Sequence, residues 1–232
     1  MKLSHLFRGA VLALSAALLT ATPSAAQQTA QAQQVSPEQV EAARDTLNAL
    51  MFETGLLDQS INELAATSWP ELRERAASSE LRESLSESRR AALDRFVEEA
   101  PAIIEGEVRA GAAELIAATS GSIAELFSIE EWQGIAAFLR STEGRGLFLK
   151  LANGDRNSLT EDEIGFVRRF YESPAGQAFA RNGAEMNRRL MSSMEAEMPA
   201  VMARMRTRLF TRLCESLGDE CPTHLQPDAS AL

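Results

Sequence analysis

Apolar positions recur along most of the chain at the three- and four-residue spacing of a single helix face. Val40, Leu47, Leu50 and Met51 form the first stripe. Ser36-Pro37-Glu38-Gln39 opens it: the serine caps, the proline takes the first helical position, and Gln39 completes a capping box. A break at Thr54-Gly55 precedes a second stripe at Leu57, Ile61 and Leu64. Ser68-Trp69-Pro70-Glu71 repeats the start signal and predicts a new helix there. Leu81, Leu85, Leu93 and Phe96 punctuate a charged stretch from Leu72 to Val97, and Ser84 with Glu87 predicts another capped start. Pro101 is expected to kink or end a helix. Helical patterning continues from Ile103 to Phe127, with a weak spot at Ser120-Gly121.

The pattern then says one thing twice. Ser128-Ile129-Glu130-Glu131-Trp132 through Ser141-Thr142-Glu143-Gly144 returns as Thr160-Glu161-Asp162-Glu163-Ile164 through Ser173-Pro174-Ala175-Gly176, with every matched pair 32 residues apart. Ser128 with Glu131, and Thr160 with Glu163, are capping boxes. Trp132, Ile135, Ala136 and Leu139 lie along one face of the first helix; Ile164, Val167, Phe170 and Tyr171 do so in the second. Ser141 and Ser173 cap a further helix after a sharp corner, where Gly144 and Gly176 let two helices approach closely. The predicted unit is therefore helix, corner, helix, with Asn153-Gly154-Asp155-Arg156-Asn157 joining the copies. This spacing fixes an architecture and leaves the chemistry open.

The corner Phe170-Tyr171-Glu172-Ser173-Pro174-Ala175-Gly176, preceded by its acidic capping box, resembles the signature of a bacterial exported family, domain of unknown function 2059. The match is close over 160–179 and looser over 128–148, where Thr142 stands for the proline and Leu139 for the tyrosine. The resemblance implies an all-helical periplasmic protein, and it brings no catalytic residues to carry over.

The start of the chain predicts export. Lys2 and Arg8 flank an apolar run from Ala10 to Leu19, and Ser24-Ala25-Ala26 supplies small residues for cleavage. Residues 1–26 are thus expected to be a signal peptide, followed by a flexible lead-in at 27–35 and no later transmembrane segment. The net charge is −10, and removing those two cations takes it to −12. An acidic surface disfavours nucleic acid. In an oxidising compartment Cys214 and Cys221, with a Gly218-Asp219 turn between them, predict a disulfide that caps the last helix.

The candidate chemistry is sparse. His5 falls in the signal peptide and His224 in the tail, so a Ser-His-Asp triad would need that one tail histidine and a multi-histidine zinc site has no material. Asp155-x-Asn157 only superficially suggests a calcium loop. Glu130, Glu131, Asp162 and Glu163 recur between the copies and carry a carboxylate-hydrolase alternative, although first-turn acids are better explained by capping and the helix dipole. Met191, Met194, Met198, Met202 and Met205 share a helix face. Thioethers would suit Cu(I), but Val201, Leu209 and Leu213 lie on the same stripe, so packing is the preferred account. Arginines at 181, 188, 189, 204, 206, 208 and 212 are expected to pair with acids of the first half, Glu98, Glu99, Glu105 and Glu107 among them.

The sequence therefore predicts an all-α helical bundle built around a tandem-duplicated helix-corner-helix hairpin. An N-terminal helical region covers 36–127, the hairpins and a Met-rich helix cover 128–215, and a tail follows at 216–232. The expected role is a periplasmic, non-enzymatic module without a cofactor. Its partner would be a protein or a small apolar ligand, held in a groove near Trp132, Phe138, Phe170 and Tyr171.

Overall fold

The computed structural model describes residues 35–152 and 158–222. The expected signal peptide, most of the lead-in, the 153–157 loop with its calcium motif, and the His224 tail lie outside them. Among the described residues there are helices and no strand.

Helix α1 (Pro37–Asn48) begins at Ser36, whose Oγ accepts from the Gln39 amide at 3.1 Å, while Gln39 accepts in return from Ser36 N. It does not stop at its C-cap. A π-helical turn at Ala49–Glu53 adds one residue to the ladder, closed by Thr54 N donating to Ala49 O at 3.0 Å. Gly55, at φ +82°, then turns the chain into α2 (Leu56–Ala77).

Two expected boundaries are corrected. Helix α2 runs straight through Pro70, so Ser68 starts nothing. Proline there takes the amide donor from the carbonyl of Ala66, and Ala66 is exposed, so water can serve it. The Ser84–Glu87 box does not form either. Ser84 closes the short α3 (Glu80–Ser84), where its hydroxyl donates to Leu81 O at 2.8 Å. Helix α4 (Glu87–Ile123) instead starts from Ser86, whose carbonyl accepts from the amides of Arg89 and Arg90. Pro101 does not end α4, which passes Ser120-Gly121 and finishes in a 3-10 turn at Ala124–Leu126.

Helices α5 (Ile129–Arg140) and α6 (Thr142–Ala152) follow, then α7 (Glu161–Glu172) and α8 (Pro174–Leu217). Both capping boxes form. The two corners share one geometry: Ser141 has φ −64°, ψ 151° and Ser173 has φ −75°, ψ 157°. Ser141 Oγ donates to Phe138 O at 2.7 Å and accepts from Gly144 N at 3.0 Å. Ser173 Oγ donates to Phe170 O at 2.6 Å and accepts from Gly176 N at 3.1 Å. After the corner the segments diverge, α6 stopping after 11 residues and α8 running for 44.

The chain forms two compact units, each assembled from separated stretches. The first takes 35–60 and Ala112–Ala196; the second takes Ile61–Gly111 and 197–222. Leu47, Ile123, Phe127 and Trp132 lie in the core of the first unit. The second unit packs Leu85, Leu93 and Val97 against Leu213, Leu217 and Cys221. Within it, Arg212 meets Glu99 at 2.9 Å and Arg208 meets the buried Glu107 at 2.7 Å, as the charge pattern suggests; Glu105 pairs instead with Arg109 on its own helix.

The Cys214–Cys221 disulfide closes the end of α8, with the Cα atoms 5.0 Å apart. The 3-10 turn Gly218–Glu220 beside it caps α4 from a distance, because Glu220 accepts from Ser86 N at 2.9 Å and from Ser86 Oγ at 2.7 Å. Arg89 adds bonds to Ser216 O and Asp219. Cutting so short a loop removes about 2–3 kcal/mol by the chain-entropy estimate. Cys214→Ser should therefore lower the non-reducing melting temperature, and adding dithiothreitol should lower that of the wild type but not of the variant.

Candidate functional site

Six elements of the first unit surround one apolar pocket, a partly open cavity of about 90 Å³. Helix α1 supplies Thr46 and Leu47, and the π-helical turn supplies Leu50. Helix α5 gives Ile135, Phe138 and Leu139; α6 gives Leu147, Phe148 and Leu151. Helix α7 closes another side with Val167, Phe170 and Tyr171, and α8 contributes Phe179 and Met186. Phe138 stacks on Phe170 with ring centroids 4.1 Å apart, and Tyr171 meets Phe170 edge-on at 5.5 Å. No charged side chain lines the wall.

Three of the four residues expected at a groove, Phe138, Phe170 and Tyr171, stand in this wall. Trp132 does not. It has no exposure and sits in the core, edge-on to Phe127 at 4.5 Å, with its indole N–H donating to Ala124 O at 3.1 Å. That bond is one of three clamping the end of α4: Asn182 donates to Leu126 O and Gln39 to Phe127 O. The indole is large enough to fill the corner core and carries the donor that an orphan carbonyl needs. Ile164, expected on a buried face, is 46% exposed; no residue of α7 is fully buried.

Sequence reasoning did not gather the rest of the wall, although a signal for it existed. Four pairs of wall residues are 32 positions apart: Ile135 with Val167, Phe138 with Phe170, Leu139 with Tyr171, and Leu147 with Phe179.

Two polar groups belong to the pocket. The hydroxyl of Thr46 is occupied, donating to Ala42 O at 2.9 Å and Trp132 O at 3.0 Å. The hydroxyl of Tyr171 has no hydrogen-bond partner among the described residues, and burial pushes its pKa upward.

Beside the pocket Arg140, at the end of α5, fastens α1 and the π-helical turn. It meets Asp45 at 2.7 Å and Glu53 at 2.8 Å, each through two nitrogens. Its hydrogen bonds, and then its charge, hold both carboxyls below their ordinary values of 3.8 and 4.5. Because the folded values are the lower ones, unfolding takes up protons. The stabilisation is complete above the ordinary carboxylate range and is lost as pH falls through the lowered values. These groups are more than a third exposed, so the two pairs together contribute about 1 kcal/mol. Thermal melts between pH 7 and pH 3 should show a smaller acid-induced fall for Arg140→Ala than for the wild type.

Two of the four recurrent acids are placed as caps. Glu131 accepts from Ser128 N and approaches Arg181 at 3.5 Å; Glu163 accepts from Thr160 N and meets Lys150 at 2.6 Å, which lowers its pKa. Glu130 and Asp162 are exposed, and none of the four lines the pocket. Along the methionine stripe Met194 and Met205 are buried while Met191, Met198 and Met202 are half-buried. Among the described residues no group of three or more His, Cys, Asp or Glu could hold a metal. No described helix is long and apolar enough to cross a membrane.

Residues 156–204 match the model of a family described as an uncharacterized protein conserved in bacteria, domain of unknown function 2059. The matched stretch carries the second corner and five wall residues: Val167, Phe170, Tyr171, Phe179 and Met186. No curated protein and no solved structure matches the chain significantly.

Proposed function

We propose that this chain is an exported, non-enzymatic binding module that holds a small apolar ligand in the pocket of its first unit. The observation that carries the reading is the wall itself, an aromatic-rich cavity without a charged side chain, built on six elements. A second observation favours it. Leu50 reaches the pocket from a π-helical turn, a feature that is costly to keep and frequent at functional sites. The Cys214–Cys221 disulfide supports export to an oxidising compartment, the periplasm in a bacterium.

The pocket is also the reason to read 128–148 and 160–180 as two copies of one unit. Equivalent residues of the two segments face the same cavity, and each corner hangs on the same serine–glycine bonds. Two hairpins, each short of a core of its own, would bury their apolar faces together and leave the cavity where they meet.

Toluene titrated into the full chain and followed by ligand-detected NMR should bind saturably. Leu147→Phe should weaken that binding at least tenfold, because the added ring occupies the cavity. Phenylalanine already stands at the matched position, Phe179, so the variant should keep the wild-type helical spectrum. Non-saturable uptake by the wild type would end the proposal.

A further inference from the structure

A ligand's size, charge and polarity are all constrained by the wall. A cavity of 90 Å³ has room for about six to nine heavy atoms, judged from the space a single water needs. That is one ring with a substituent rather than a long acyl chain. An ionised group inside would face no counter-charge, so whatever enters the pocket enters neutral.

The polarity is set at one position. In three of the four matched wall pairs an apolar residue faces an apolar residue: Ile135 with Val167, Phe138 with Phe170, and Leu147 with Phe179. Only Leu139 with Tyr171 replaces an aliphatic side chain by one that carries a hydroxyl. Packing alone would be served by phenylalanine there. The proton of Thr46 is already shared by two carbonyls, whereas that of Tyr171 has no acceptor among the described residues. Tyr171 is half-buried and its hydroxyl is not sealed from water, so a ligand's acceptor would take the place of a water there.

We infer that the pocket takes a compact neutral ligand, about one ring in size, whose single hydrogen-bond acceptor is held by the hydroxyl of Tyr171. The inference rests on the binding function proposed above and adds the ligand's chemical class and the residue that selects it. Tyr171 supplies the donor, and the stacked Phe138 and Phe170 supply the apolar surface on which the ring lies.

Acetophenone and ethylbenzene, which differ in one carbonyl oxygen, test this on the wild type and on Tyr171→Phe. The substitution keeps the ring and its contact with Phe170, so folding is not at risk. The preference for acetophenone over ethylbenzene, taken as the ratio of their dissociation constants, should fall roughly fivefold in the variant. An unchanged ratio, with both probes still bound, would overturn the assignment of Tyr171 and leave the binding function standing. Failure of both probes to bind the wild type would overturn the two together.

Discussion

Replacing Trp132 by alanine should destabilise the first unit by about 4 kcal/mol, measured as a shift of the urea midpoint followed by circular dichroism. Three losses combine. The side chain is completely buried, so its removal leaves a cavity that rigid helices cannot close. The edge-on contact with Phe127 disappears. The carbonyl of Ala124 also loses its indole donor at the point where α4 gives way to a 3-10 turn. Neighbouring side chains cannot cover for it, since Asn182 and Gln39 are already committed to Leu126 and Phe127. Trp132→Phe separates the contributions: it keeps an aromatic in the core and should cost about 1–2 kcal/mol, mostly for the unsatisfied carbonyl. A cost below about 1 kcal/mol for the alanine variant would mean that Trp132 is not a keystone of this core.

What could be read from the chain, and what could not, divides by range. Ser36, Ser128 and Thr160 start helices where expected because their capping boxes are closed by residues three positions away. The stripe Trp132, Ile135, Ala136 and Leu139 is buried as its spacing implies. Ser84 obeys the same local rule and still fails. Ser86 prevails because Glu220, 134 residues further on, takes its amide and hydroxyl, and no local pattern contains that acceptor. The reading at Pro70 fails in the other direction, where a strong breaker is tolerated because the carbonyl it orphans faces water. The π-helical turn has no signature in Ala49-Leu50-Met51-Phe52-Glu53; it is stabilised by Arg140 reaching Glu53 from another helix. The candidate site was half legible for the same reason. Aromatic content marked Phe138, Phe170 and Tyr171, but it could not separate an aromatic that lines a cavity from one that fills a core. For Trp132 the deciding partner is the Ala124 carbonyl, which appears only once α4 has ended.

The second large effect lies at the corners. Gly176→Ala and Gly144→Ala should each cost about 3 kcal/mol, and by amounts that agree within about 0.5 kcal/mol. A Cβ at Gly144 would lie 1.9 Å from Phe138 O, and one at Gly176 would lie 1.9 Å from Phe170 O. Both obstacles are backbone, pinned by the corner serines through Ser141 Oγ to Phe138 O and Ser173 Oγ to Phe170 O, so neither can swing aside as a side chain would. The methyl therefore has to open the corner. Gly165→Ala is the control, since its nearest neighbour would be Arg169 Nη1 at 3.7 Å and helix propensity should make it neutral or slightly stabilising. Phe170, whose carbonyl takes the strain in one corner, and Phe138, whose carbonyl takes it in the other, are the stacked pair of the pocket. Each variant should therefore also weaken toluene binding at temperatures where it remains folded. Equal costs and parallel losses of binding are what two copies of one unit require. A tolerated alanine at either corner would show that the 32-residue recurrence is a likeness of sequence without a shared structural role.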